Sequence, residues 1–173
     1  HLQGRAKDLI IRGGHNIDPK TIEDALASHP AVRICAAVGA PDPYAGELPV
    51  AFVTLAEDAE VSEAELVAYA AAHVDETPAR PKRVIVLEAM PMTNVGKIYK
   101  PDLRRLATAV AVRTLAAPLL EQAGLPPDSP LLRVQADAQP DVAVELDATL
   151  PAPLKEQLRA ALHRLPVKVA LRG

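Results

Sequence analysis

Two glycine-bearing segments carry the residue types from which a ligand site can be built. Gly13-Gly14 follows a short apolar run, and paired glycines allow either a tight turn or a close approach of backbone to a ligand. Gly96-Lys97 ends a loop and places a cation at its tip. Together these residue types suit an extended, anionic ligand. For a single loop lysine, the competing interpretation is a solvated surface side chain.

Gly96-Lys97 is not the end of a phosphate-binding P-loop. That motif needs an earlier glycine at a fixed spacing and a serine or threonine directly after the lysine, whereas Ile98 occupies that position. The lysine therefore needs another explanation.

Local signals define the elements that must hold these segments. Asp18 followed by Pro19 predicts a helix start, and the capping box Ser62-Glu-Ala-Glu65 predicts a second one. A third helix is predicted from Pro101. Runs typical of strands lie within residues 7–14, 32–38, 50–55 and 83–87. These elements predict an α+β domain with a short β-hairpin and a central three-stranded sheet flanked by helices.

The remainder of the chain predicts an appended unit. A helical stripe continues beyond residue 108, where Pro118 predicts a kink or a break, and residues 124–130 have the composition of a linker. Beyond it, two alternating runs, an amphipathic stretch and a further alternating run predict a ββαβ unit. The predicted organisation is residues 1–107 as one domain, 108–129 as helix and linker, and 130–173 as a small extension.

Composition limits the classes of function. The formal net charge is −3, so the chain lacks the excess of positive charge that binding to a phosphate backbone requires, and nucleic acid is not an expected partner. No apolar run approaches the length of a membrane span. The lone Cys35 is expected to behave as a small buried hydrophobe in a reducing compartment, which favours a cytoplasmic location. The chain starts without Met, inside what resembles a motif, so a fragment of a longer protein is expected.

A resemblance to a known family runs through residues 4–23, 38–42, 46–47 and 91–97. In this order and spacing they resemble the carboxy-terminal domain of adenylate-forming enzymes, specifically acyl-CoA synthetases. The resemblance covers about residues 4–106. Members of this family pair a large amino-terminal domain, which binds ATP and the carboxylic acid, with a small mobile domain that rotates between two half-reactions. The resemblance implies that residues 1–107 are this mobile lid domain.

The resemblance also implies roles for individual residues. Lys97 corresponds to the catalytic lysine that reaches the acyl carboxylate and the α-phosphate during adenylation. Arg5 corresponds to a motif arginine on the nucleotide side of the cleft. Lys7 falls on the hinge position, and its neighbour Asp8 is a further hinge candidate.

A second group of residues corresponds to the surface used after rotation. Gly13 and Gly14 correspond to the loop that lines the tunnel for the pantetheine arm of CoA. His15 occupies a position that is often glutamate in medium-chain and aryl enzymes, so contact with CoA and simple exposure to water both stay open for it. Four cations are candidates for the CoA phosphates, with a solvated surface role as the alternative: Arg12, Arg80, Lys82 and Arg83.

The implied reaction has two steps. A carboxylic acid and ATP give acyl-AMP and pyrophosphate, and acyl-AMP and CoA then give acyl-CoA and AMP. No metal-ligand spacing is present in the sequence, and the resemblance implies that the Mg²⁺ of the reaction travels with ATP. The chain is expected to need its missing N-terminal domain, and to be inactive and without stably bound ATP or CoA when isolated. The alternatives are a domain that loads a carrier protein's pantetheine, or a non-catalytic binding or regulatory module of the same fold.

Overall fold

The computed structural model describes residues 8–136 and 142–173. Arg5 and Lys7, the predicted nucleotide-binding and hinge residues, lie outside the described residues. The chain forms two compact units, the first comprising most of the chain up to Arg104 and the second mainly residues 105–173. Within the described ranges, no helix combines the length and the apolar character needed to cross a bilayer.

The first unit begins with the predicted hairpin, formed by β1 (Ile10–Arg12) and β2 (His15–Ile17). The two strands are antiparallel, and Arg12 is the partner of His15. The loop is therefore only Gly13-Gly14, with φ of +55° and +85°. Positive φ at both central residues is the requirement of a type I′ turn, which explains why both positions are glycine.

Capping side chains start two helices that pack on the sheet. Helix α1 (Pro19–Ala27) starts where Asp18 accepts a hydrogen bond from the Lys20 amide. Helix α2 (Glu63–His73) starts with a complete capping box between Ser62 and Glu65. Both starts are as the sequence predicts, because each is specified by contacts within three residues.

Three further strands complete the sheet, namely β3 (Val32–Asp42), β4 (Gly46–Leu55) and β5 (Arg83–Val86). Strand β4 is hydrogen-bonded to β3, to β1 at Arg12 and Gly46, and to β5, which runs parallel to it. The hairpin is thus continuous with the three central strands, giving five strands in all. The buried residues that hold α1 and α2 against this sheet are aliphatic: Ile10, Ile17, Ile22, Leu26, Ala37, Ala51, Val53, Leu66, Ala70, Val74, Ala79 and Val84.

Helix α3 (Lys100–Gln122) follows and runs through Pro118. Of the two outcomes that Pro118 predicts, a kink or a break, the break is absent. A proline removes one helical hydrogen bond, and the neighbouring Ala116 and Leu120, which are 1% and 0% exposed, hold this turn in the core of the second unit. The helix ends two residues before Gly124, whose φ is +74°. Leu125 donates to the Leu120 carbonyl at 2.9 Å, which closes a Schellman motif.

The second unit has the predicted ββαβ order. Its elements are β6 (Leu132–Gln135), β7 (Val142–Leu146), α4 (Ala152–His163) and β8 (Val169–Arg172). Strand β7 is central, antiparallel to β6 and parallel to β8. Leucines dominate its core, in which Leu154, Leu158 and Leu162 of α4 are buried together with β7 residues.

Candidate functional site

The Lys97 loop is a tight turn. Its ends are joined by a bridge between Met92 and Ile98 and by a 2.7 Å hydrogen bond from the Thr93 amide to the Lys97 carbonyl. The Gly96 amide donates to the Thr93 carbonyl at 3.0 Å, and Gly96 has φ of +77°. This is the pattern of a three-residue hairpin loop that ends in a left-handed glycine. The Lys97 amide donates to Thr93 Oγ1 at 3.1 Å, so Lys97 starts from a fixed backbone.

The side chain of Lys97 is exposed. Within residues 8–136 and 142–173 its ammonium group has no hydrogen bond or ion pair. The surface around it is apolar, since Met92, Val95 and Tyr99 are 47%, 80% and 41% exposed. A free cation on a rigid turn with apolar surroundings suits an anionic ligand held against a second surface.

A partly buried ion pair lies at the base of this loop. Lys100 Nζ is 2.9 Å from Glu23 Oε1, with side chains 21% and 25% exposed. The same Glu23 oxygen accepts the Ala37 amide at 2.9 Å. The loop is thereby connected to α1 and β3, and Lys100, unlike Lys97, is occupied by a carboxylate.

The Gly13-Gly14 turn forms a second exposed tip. The Gly13 amide donates to the Ala45 carbonyl at 2.8 Å, so the turn is tied to the loop before β4. A Cβ atom at either glycine would meet nothing within 4 Å, and both residues are exposed. The space beside the backbone is therefore open, as contact with a ligand requires. His15 is also exposed and has no side-chain partner among the described residues.

A second carboxylate lies at the base of this hairpin. Glu47 Oε2 accepts the Ile11 amide at 2.8 Å. Opposite it lies Gly39, where a Cβ atom would come within 2.5 Å of the Glu47 carboxyl carbon. Glycine at position 39 is thus what leaves room for the Glu47 carboxylate beside β1.

The structure separates the four candidate phosphate contacts into two kinds. Arg12 donates to the Pro78 carbonyl at 2.8 Å and Arg80 Nε to the Val74 carbonyl at 3.0 Å, both half-buried. Lys82 and Arg83 have exposed side chains with no partner in the part of the chain that the structure describes. Arg12 and Arg80 therefore already hold backbone carbonyls near the hairpin, whereas the other two cations are available to a ligand.

Two further predicted features concern charge. Asp8, the hinge candidate, accepts a hydrogen bond from Arg104 on α3 at 2.8 Å. Burial, with a smaller contribution from the nearby Glu23 charge, raises the pKa of the Cys35 thiol to about 12. Cys35 is therefore a neutral, inert thiol at physiological pH. Across the described residues, no group of three or more His, Cys, Asp or Glu side chains is placed to hold a metal ion.

Sequence reasoning missed the roles of Glu23, Glu47 and Lys100. Glu23 and Glu47 fall within segments that resemble the family, but nothing in the sequence predicts their contacts, and Lys100 lies outside those segments. A weak signal exists for Glu23, because it is a charged residue directly beside the buried Ile22 of α1. None exists for the pairing itself, since 77 residues separate Glu23 from Lys100.

The family model of the AMP-binding enzyme C-terminal domain matches residues 21–97. A marinolic acid–CoA ligase of a Pseudoalteromonas species is 51% identical over 114 residues, which cover 66% of this chain and 17% of that protein.

Two solved structures are also similar to this chain. A Mycobacterium tuberculosis fatty acyl CoA synthetase is 38% identical with a TM-score of 0.57, covering 62% of this chain and 21% of the other. The amide bond synthetase McbA from Marinactinospora thermotolerans is 35% identical with a TM-score of 0.54, covering 61% and 21%. The chain thus spans about a fifth of the length of the proteins that it matches.

Proposed function

We propose that this chain, whose residues 21–97 match the family model of the AMP-binding enzyme C-terminal domain, works as the mobile lid domain, residues 1–107, of an AMP-forming acyl-CoA synthetase. Curated relatives of this chain include CoA ligases, which supports a reaction that joins an acid to a thiol with use of ATP. The observation that carries the proposal is the ammonium group of Lys97, which has no partner among the described residues and stands on a tight turn inside the matched residues.

Lys97 would act in the first half-reaction. The acyl carboxylate and the α-phosphate are both anionic, and their approach concentrates negative charge at the reacting atoms. One cation held between them stabilises that charge, and it acts most strongly where water is excluded. The apolar Met92, Val95 and Tyr99 around the turn suit such a water-poor contact with the N-terminal domain.

The Gly13-Gly14 turn would act in the second half-reaction. After rotation about the hinge at Lys7 and Asp8, with Arg5 on the nucleotide side, this turn would line the path of the pantetheine arm. Its exposed backbone and the open space at both glycines fit this use. His15, Lys82 and Arg83 would supply polar and cationic contacts to CoA, whereas Arg12 and Arg80 would support the surface through the carbonyls that they hold.

The test uses the full-length ligase that carries this domain. Lys97→Ala should lower ATP–pyrophosphate exchange by about 100-fold or more, the size of losing one preorganised charge at a transition state. Thioester formation from supplied acyl-AMP should stay within about threefold, since Lys97 has left the site by then. Lys20→Ala, which removes an exposed lysine of α1, is the matched control. Equal loss of both half-reactions in Lys97→Ala would refute the assigned role.

The acceptor is the second point to test. We propose CoA rather than a carrier-protein pantetheine because curated relatives such as the marinolic acid–CoA ligase are CoA ligases. Rates of transfer from the same acyl-AMP to CoA and to a phosphopantetheinylated carrier protein separate the two. A carrier-protein rate well above the CoA rate would overturn this part.

The isolated 173-residue chain should have no ligase activity, because the acid and the adenylate are expected to bind the N-terminal domain. Calorimetry should likewise detect no stable binding of ATP or CoA to it. Measurable acyl-CoA formation by this chain alone would contradict the proposal, and a full-length protein inactive with all acids would favour a non-catalytic module.

A further inference from the structure

We propose that the carboxylates of Glu23 and Glu47 are positioning residues for different half-reactions. Glu23 fixes the Lys97 loop through Lys100 and so serves adenylation, while Glu47 fixes the Gly13-Gly14 turn and so serves thioester formation. The proposal rests on the proposed function, since it assigns these residues to the two tips described above.

Glu23 is placed to hold the Lys97 loop from below. Its Oε1 atom accepts the Ala37 amide of β3 at 2.9 Å and Lys100 Nζ at 2.9 Å, so one oxygen joins a central strand to the end of the loop. Lys100 Nζ lies 3.4 Å from the Ala37 carbonyl, which adds a second contact to the same residue of β3. Since both charged side chains are about three-quarters buried, this pair is weakly screened by water.

The chain between Lys97 and Lys100 transmits this anchor. The Tyr99 amide donates to the Pro91 carbonyl at 2.8 Å, so residues 98–99 form the closing arm of the turn. Lys100 then begins α3. Releasing Lys100 would free the arm that carries Lys97, and a displacement of about 1 Å at a reacting group can reduce the rate about 100-fold.

Glu47 holds the other tip by a different contact. Its carboxylate accepts a hydrogen bond from the amide of Ile11, two residues before Gly13, and so pairs a backbone donor of β1. The carboxylate is confined on its other side by Gly39. The hairpin is bonded to β4 at Arg12 and Gly46, so Glu47 extends this attachment by one residue along β1.

The contacts of the two carboxylates do not overlap. Glu23 bonds Ala37 and Lys100, and Glu47 bonds Ile11 and lies against Gly39. Each variant is therefore a control for the other in the same enzyme. A purely structural role would lower both half-reactions together as the domain loses stability.

The experiment measures both half-reactions in the full-length ligase. Lys100→Met should lower kcat for ATP–pyrophosphate exchange at least tenfold, leave thioester formation from supplied acyl-AMP within about twofold, and be rescued by Lys100→Arg, which keeps the charge. Glu47→Ala should do the reverse, and Glu47→Gln, which keeps an oxygen acceptor for the Ile11 amide, should recover most of the loss. Lys20→Met, which breaks the exposed pair with Asp24, should change neither rate.

The outcomes test the positioning roles and the proposed function separately. Parallel loss of both half-reactions in either variant, or no loss in both, overturns the positioning roles. Glu23→Gln, which keeps the acceptor for the Ala37 amide while removing the charge, tests the same pair if Lys100→Met fails to fold. Lys97→Ala is measured alongside: if it spares adenylation, the proposed function fails, whereas if it abolishes adenylation while Lys100→Met spares it, only the positioning role fails.

Discussion

Replacing Gly39 with alanine should displace the Glu47 carboxylate without altering Glu47 itself. The added Cβ atom would lie 2.5 Å from the carboxyl carbon of Glu47 and 2.6 and 2.8 Å from its two oxygens. Carbon atoms in contact prefer about 3.5–4.0 Å, so the overlap is roughly 1 Å. Because the obstacle is the end of a flexible side chain, the carboxylate should swing away and release the Ile11 amide.

The expected free-energy change has two opposing parts. Losing the 2.8 Å bond from the Ile11 amide to a charged acceptor costs about 1–2 kcal/mol at a solvent-accessible position. Alanine in place of glycine within a strand gains about 0.5–1 kcal/mol, since Gly39 does not adopt a left-handed φ. The net change in the free energy of unfolding is therefore small, roughly 0–1.5 kcal/mol destabilising.

A double-mutant cycle measures this small effect as a coupling free energy between positions 39 and 47. In the Glu47→Ala background the obstacle is gone, so Gly39→Ala should be neutral or stabilising by up to about 1 kcal/mol. The coupling between the two substitutions should then be about 1–2 kcal/mol. Urea unfolding followed by NMR signals of the first unit gives each corner of the cycle, and hydrogen exchange of the Ile11 amide gives the local effect.

The exchange measurement provides the sharper criterion. Protection of the Ile11 amide should fall about tenfold in Gly39→Ala, in line with a loss of about 1.4 kcal/mol. Equal effects of Gly39→Ala in both backgrounds, together with unchanged protection of Ile11, would show that Glu47 does not hold this strand.

Three other predictions each rest on the surroundings of one residue. Cys35, with a pKa of about 12 against 9.0 for a free thiol, should have about 1000-fold less thiolate at pH 8 than in the urea-unfolded chain, and its reaction with a disulfide reagent should slow accordingly; a ratio below tenfold contradicts this. Gly96→Ala should cost about 1–2 kcal/mol and lower adenylation in the full-length enzyme, because φ of +77° strains a side chain, whereas Gly96→Asn should cost less; equal effects would argue against the turn geometry. The amide and hydroxyl of Ser62 lower the pKa of Glu65, so this contribution to stability is present above pH 4.5 and is lost as the pH falls through the lowered value. Ser62→Ala removes the hydroxyl and keeps the amide, so an NMR titration should show the pKa of Glu65 moved part of the way towards 4.5; an unchanged value would contradict the contribution of the hydroxyl.

Features specified by neighbouring residues were predictable from the sequence. The helix starts at Asp18 and Ser62 depend on contacts within three residues, and the Gly13-Gly14 turn depends on the backbone freedom of two glycines. The same holds for the ββαβ order of the second unit, whose elements follow the hydrophobic periodicity. In each case the physical cause lies within the segment itself.

Features that depend on distant partners were not predictable. The pair of Glu23 with Lys100 joins residues 77 positions apart, and the bond from Ile11 to Glu47 spans 36. The sequence also groups Arg12 with Lys82 as candidate contacts for the CoA phosphates, whereas in the fold the Arg12 guanidinium donates to the Pro78 carbonyl and the Lys82 side chain has no partner among the described residues. Likewise, the break predicted at Pro118 did not account for the packing of Leu120, which holds the helix together beyond it.

The two tips are built alike, and this bears on how the domain would act. In each, an exposed ionisable side chain without a partner in the described chain directly follows a left-handed glycine: Lys97 after Gly96, and His15 after Gly14. A tight turn loses little backbone entropy when a ligand binds, and an unpaired side chain has no competing bond to break. Under the proposed function neither tip would need to reorganise, and the two half-reactions would differ in which tip faces the adenylate. On this reasoning, a substitution that loosens one turn should slow only the half-reaction that this turn serves, even where the side chain at its tip is unchanged.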